Sequence, residues 1–100
     1  MRTMLKVQMS VDAGNAAIAD GRLQRVLQAT MERVHPEAAY FTTVDGCRGG
    51  YIVFDLKDPS DIPAICEPFF TELHAKLELT PCMTPDEVAA GLQKASAVPA

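Results

Sequence analysis

Asp45-Gly46 lies between AAYFTTV (38–44), a run of β-forming residues, and an alternating run that ends near Lys57. A type I′ turn needs positive φ at both central positions, and Asp-Gly tolerates this, so the segment predicts a β-hairpin. A hairpin in mid-chain constrains the flanks, because each must supply elements that extend its sheet or cover it. Each flank carries one extended and one helical pattern, and the downstream flank adds a short terminal helix.

Upstream, MLKVQMSV (4–11) sets Leu5, Val7, Met9 and Val11 against Met4, Lys6, Gln8 and Ser10, the period of a strand with one apolar face. DAGN (12–15) reads as a turn, continued over 16–20 because Asp20-Gly21 suits a helix interior poorly. From Gly21 to His35, the positions of Leu23, Val26, Leu27, Thr30, Met31 and Val34 make one helix face. Pro36 disfavours helical geometry at His35 and ends that helix. Downstream, DPSD (58–61) offers a cap at Asp58 and proline at the first helical position. Ile62, Ile65, Cys66, Phe69, Phe70, Leu73 and Leu77 continue the stripe, with a bend or split expected near Cys66 to Pro68 and an end near His74 to Lys76. LELTPCMT (77–84) is a fourth strand. Thr84-Pro85-Asp86-Glu87 is a capping box that opens a short helix with Val88, Leu92 and Ala95 on one side, followed by the frayed tail ASAVPA. Gly49-Gly50 predicts a bulge or an irregular hairpin end.

The order strand, helix, strand, strand, helix, strand, plus a terminal helix, is the split βαβ arrangement of α+β, ferredoxin-like proteins. Right-handed crossovers put two helices on one face of a four-stranded antiparallel sheet. One hundred residues allow a single domain spanning 1–100. The strand faces Leu5/Val7/Met9 and Ile52/Phe54/Leu56 then meet the helix stripes as the core. The opposite face carries Met4, Lys6, Gln8, Tyr51, Val53, Asp55, Glu78, Thr80 and Cys82, with either Tyr40/Thr42/Val44 or Ala39/Phe41/Thr43 from the second strand. It is too apolar for a solvated face and too charged for an ordinary core. A twofold copy of the same chain, packed through this face, satisfies both conditions.

Composition removes several classes of function. The net charge is −4 and the nine Lys and Arg are scattered, so there is no basic footprint for nucleic acid. No apolar run reaches membrane-spanning length and the N-terminus lacks a signal-peptide pattern, which predicts a cytoplasmic protein without membrane partners. Three cysteines without CxxC pairs or metal-like spacing predict free thiols and no metal site. DGCRGG lacks the spacings of a phosphate loop, and no cofactor is expected.

With its element order and with TPCMTPDEVAAGL leading from a strand through a proline into a capped helix, the chain resembles the dimeric α/β-barrel superfamily over residues 4 to 95, its small bacterial members in particular. That resemblance implies face-to-face ferredoxin-like subunits. The superfamily includes stress-responsive barrels, muconolactone isomerase-like enzymes, cofactor-independent monooxygenases and haem-degrading enzymes, and fold does not choose among them.

His74, late on the second helix, is a candidate general base, or a haem ligand by analogy with haem-degrading relatives; the plainer role is a cation at a helix C-terminus. The absence of tryptophan argues against haem. Lys6, Asp55 and Glu78 become an acid–base set if they share a desolvated interior, or else an ion-pair network at the dimer centre. Tyr40, Tyr51 and Gln8 are candidate ligand contacts on the same face, and Arg48 is a candidate closure at the barrel rim or a solvated hairpin charge. Two functions fit these residues. One is a homodimer that binds a small organic molecule in a barrel or helix–sheet cavity. The other is a small cofactor-independent isomerase or monooxygenase using Asp55, Glu78 or His74. Sequence leaves open whether the protein is an enzyme.

Overall fold

The computed structural model describes residues 1–97. The elements are β1 (Arg2–Gln8), α1 (Val11–Ala19), α2 (Arg22–Val34), β2 (Ala38–Val44), β3 (Cys47–Asp55), a 3-10 turn (Pro59–Asp61), α3 (Ile62–Leu73), β4 (Lys76–Pro81) and α4 (Pro85–Ala97). The strands form one sheet in the order β2-β3-β1-β4, with every neighbouring pair antiparallel. This is the ferredoxin-like βαββαβ fold with an added C-terminal helix. The terminal residues 98–100 of the expected frayed tail lie outside the described residues, and the tail's first residues, 95–97, are helical.

The hairpin forms as its turn residues demand. Asp45 and Gly46 take φ of 50° and 79°, and the two-residue loop pairs Val44 with Cys47. The register then runs unbroken to Ala38 opposite Val53. Gly49-Gly50 therefore makes no bulge, contrary to the sequence expectation. The glycines are required by close approach instead. A Cβ on Gly49 would overlap the Val7 carbonyl oxygen, and one on Gly50 would lie 2.6 Å from the Tyr40 carbonyl oxygen and 2.7 Å from the Phe41 ring.

A second correction concerns residues 11–19, which form α1 instead of a turn. The Ser10 hydroxyl accepts the Ala13 N–H at 3.2 Å, and Asp12 stands in the first turn where the helix dipole favours an anion. Asp20 and Gly21 end α1, Gly21 taking φ of 80° that a side chain would resist. Consequently β1 stops at Gln8, short of its expected end. The third correction is that α3 is not split, because it runs continuously through Pro68. Buried Cys66 and Phe69 flank that proline and tie both halves of the helix to the core.

The core lies between the sheet and helices α1 to α3. Leu5, Ile52, Phe54, Phe69 and Leu73 are sealed from solvent, and Leu23, Leu27, Met31 and Val34 pack around them from α2. Thr30, buried on α2, donates its hydroxyl to the Val26 carbonyl at 2.8 Å, so its burial leaves no orphan polar group. Both α2 and α3 end at a histidine in the left-handed region, His35 at φ 44° and His74 at φ 49°.

α4 stands apart. None of its residues is buried and it has no extended packing against another element. The radius of gyration is 16.1 Å, against about 13 Å for an ordinary 100-residue domain. The capping box forms as the sequence predicts: Thr84 N–H donates to Glu87 Oε1 at 2.9 Å, and Glu87 N–H donates to the Thr84 hydroxyl at 3.3 Å.

Candidate functional site

Strand pairing places the open face in transverse rows. The register of β2 settles the open alternative in favour of Tyr40, Thr42 and Val44, with Ala39, Phe41 and Thr43 on the helix side. One row runs Tyr40–Tyr51–Lys6–Glu78 across all four strands. The next runs Ala38–Val53–Met4–Thr80, and on the other side Thr42–Gly49–Gln8–Lys76. No helix covers these rows. Tyr40 is 73% exposed, and Lys6, at 34%, lies with its Nζ 4.0 Å from Glu78 Oε2. That is the loose geometry of a partly solvated ion pair, worth little by itself. Gln8 is fixed more firmly, donating its side-chain N–H to the Val44 carbonyl at 3.0 Å.

The structure therefore brings Lys6, Tyr40, Tyr51 and Glu78 into one row with Gln8 beside it. Asp55 and His74 lie elsewhere. Asp55 pairs with Arg2 at one end of β1 and accepts the Met1 amine at 2.7 Å. That hydrogen bond, and then the amine's charge, hold its carboxyl below the usual range, so Asp55 is an ionised acceptor. His74 lies towards the opposite end, past Lys76, which pairs with Gln8. It caps α3 and borders a cavity of about 190 Å³ with Gln8, Ser10, Cys47 and Lys76.

Arg48 faces the helix side. Its Nη1 donates to Asn15 Oδ1 of α1 at 2.9 Å, and its arm crosses Gly14 so closely that a Cβ there would lie 2.9 Å from the same nitrogen. It borders a slot of about 210 Å³ between α2 and the β2–β3 hairpin, walled by Leu23 and Leu27 from α2, Val7 from β1, Met9 just beyond it, and Phe41 from β2. Sequence reasoning missed this slot because it left the register of β2 open. The available signal was the two-residue Asp-Gly loop, which pairs 44 with 47 and so places Phe41 over Gly50.

A third cluster joins the sheet end to α4. Arg2 Nε donates to Glu37 Oε1 at 2.9 Å, and its Nη1 contacts Glu87 Oε1. These carboxylates, Glu37 first, hold the Arg2 guanidinium even more firmly protonated than usual. Glu87 lies below the ordinary glutamate range, chiefly through the Thr84 backbone N–H, then the Thr84 hydroxyl and Arg2. Buried Cys66 is pushed up by desolvation, which keeps it a neutral thiol. Among the described residues, no cluster of three His, Cys, Asp or Glu side chains could hold a metal ion, and no helix is long and apolar enough to cross a membrane.

The fold and the open face define a small α+β domain with one uncovered sheet surface. The chain belongs to the family described as Domain of unknown function (DUF3303), whose sequence model matches residues 1–96. No curated protein matches the chain.

Proposed function

We propose that the protein works as a homodimer whose subunits pack open face to open face, a dimeric α/β barrel, and that it binds a small organic molecule. The observation that carries this reading is the uncovered row Tyr40–Tyr51–Lys6–Glu78 beside the apolar trio Val53, Met4 and Ala38. A solvated face would not set Met4 and Val53 side by side next to two tyrosine rings, and a second copy offers both apolar cover and opposite charges for Lys6 and Glu78.

Area supports the same reading. Four strands about 4.8 Å apart and about 23 Å long present roughly 440 Å² in plan. A stable interface buries about 800 Å² of accessible surface per partner, so the sheet face supplies roughly half of that in plan, and side-chain relief and α4 would have to supply the rest. α4 itself needs cover, since an isolated helix of this length is marginal in water. The three cysteines, all free, suit the reducing cytosol.

The acid–base enzyme has less support. Asp55 and Glu78 pair with Arg2 and Lys6, four residues apart on β1 and roughly 13 Å along the strand. His74 lies beyond the other end of that strand. The test is an isotope-filtered NOE experiment on a mixture of labelled and unlabelled protein. Intermolecular contacts among Met4, Tyr51 and Val53 are expected. Intermolecular contacts confined to other surfaces, or none at all, would refute the interface.

A further inference from the structure

We infer that α4 is a pairing helix: in the homodimer its Val88–Leu92–Ala95 side packs in parallel against the same side of the partner's α4, with the twofold axis running along the strands. This inference rests on the homodimer of the proposed function and deepens it, because it gives α4 its partner and chooses between the two twofold axes that lay one open face on the other.

The sequence of α4 sets out a seam. Pro85, Val88, Leu92 and Ala95 recur at steps of three, four and three, the spacing by which a helix keeps one side against a second helix. The positions flanking such a seam are Ala89, Gly91 and Ser96, none of them charged, and Asp86, Glu87, Gln93 and Lys94 lie on the far side. Identical helices set like charges against each other wherever their flanks carry one sign, so an uncharged flank suits a helix that meets its own copy. Val88 is 39% and Leu92 66% exposed in the single subunit. Gly91 lowers helix propensity, and a Cβ there would meet no neighbour within 4 Å, so the single subunit gives no reason for it. The close approach of a second helix does.

Position and direction name the second copy as the cover. Arg2 alternates with buried Thr3 and so carries its side chain on the open face with Met4 and Lys6. Its Nη1 contacts Glu87 in the first turn of α4, so α4 leaves the subunit from that face, at the end of the sheet where Arg2 pairs with Asp55. Glu87 stands about 100° round the helix from Val88 and about 140° from Leu92. With Glu87 held by its own subunit, the seam is therefore turned away from that subunit and towards the side a partner occupies. Area agrees, since the sheet face supplies roughly half of what a stable interface takes from each partner, and α4, about 20 Å long, is exposed surface continuous with it.

The same placement selects the axis. With the twofold axis across the strands, the two copies of α4 leave from opposite ends of the dimer and do not meet. With the axis along the strands, both leave from one end, side by side and parallel, and Val88, Leu92 and Ala95 each face their own counterpart. Layers at these three positions are too few to hold two helices together by themselves, so the pair forms only because the sheet faces bring it to high local concentration.

The experiment records isotope-filtered NOEs from the methyl groups of α4 in a mixture of labelled and unlabelled full-length protein, and sediments two variants beside the parent. Intermolecular contacts are expected from Val88 to the partner's Val88 and from Leu92 to the partner's Leu92. Leu92→Asp should raise the dimer dissociation constant roughly ten- to hundredfold, the range for loss of one buried leucine. Gln93→Asp, the same charge change on the far side, should alter it less than about threefold. A native-like amide spectrum of each variant shows that the sheet and core have folded. The inference is overturned if Val88 contacts the partner's Ala95, as in an antiparallel pair, if the α4 methyl groups contact only the partner's other elements, or if Leu92→Asp dimerises as tightly as Gln93→Asp. Contacts among Met4, Tyr51 and Val53 with none between the α4 helices refute the helix pair alone. Contacts between the α4 helices with none from the sheet face refute the open-face packing alone, and a monomer refutes both.

Discussion

Gly50→Ala tests how closely the hairpin strands approach one another. At an ordinary strand position this change stabilises by roughly 0.5–1 kcal/mol, because alanine has less freedom to lose on folding. Here the new methyl group meets the Tyr40 carbonyl oxygen at 2.6 Å, the Phe41 ring at 2.7 Å and the Phe41 Cα at 3.1 Å. Two of those three atoms are backbone of the paired strand β2, so a rotamer change cannot clear them. Moving them out to van der Waals distance needs a shift of several tenths of an ångström in β2 itself. Overpacking of this kind costs about 1–3 kcal/mol, so the net expectation is a loss of about 1–2 kcal/mol. For a domain of this size that lowers Tm by roughly 4–15 °C. Urea unfolding followed by circular dichroism at fixed protein concentration measures the loss, the concentration being fixed because self-association would itself add stability. Gly50→Ala/Phe41→Ala should recover only part of it, since the Tyr40 carbonyl stays in place. A Gly50→Ala protein as stable as the parent, or more stable, would refute the close approach of β2 to β3 and with it the shape of the slot.

Two further perturbations address the core and α4. Phe69→Ala empties a fully buried position and should cost about 3–5 kcal/mol, read as a lower urea midpoint; a loss under about 1 kcal/mol would contradict a close-packed centre. Glu87 has its folded pKa depressed below the ordinary value near 4.5, so its contribution is present above that pH and is lost as pH falls through the folded value. Amide signals of α4 should accordingly lose helical character on acidification below about 4.5. Glu87→Gln should flatten that profile; an unchanged acid response in this variant would show that another group controls α4.

Much of the fold was legible in the sequence because its signals were local and agreed with one another. Asp45-Gly46 fixed the hairpin, Thr84 to Glu87 the start of α4, and the stripes on α2 and α3 the covered face of the sheet. The failures have physical causes. α1 was hidden because Asp12, Gly14 and Asn15 are turn formers by composition, while the helix depends on the Ser10 cap and on Arg48 lying over Gly14, a contact across 34 residues of sequence. Gly49-Gly50 resembled a bulge because glycine marks both bulges and close backbone approach, and only the paired strand distinguishes them. Pro68 was expected to bend or split α3, and burial of Cys66 and Phe69 on either side keeps the helix unbroken. For the site, strand alternation identified the open-face residues, but which of them share a row depends on register. The position of Arg48 on the helix side depends on the same register, so the slot could not be seen until the hairpin was closed.

The central claim is that the open face is covered by a second copy of the chain. Sedimentation equilibrium at micromolar concentration tests it most directly, with the protein run beside Val53→Asp, which places a charge in the middle of the apolar row. The account predicts a particle of twice the 10.8 kDa chain mass for the parent and a shift towards 10.8 kDa for the variant, with its circular dichroism unchanged. A parent protein that sediments as a monomer, or a Val53→Asp dimer as tight as the parent's, would contradict it.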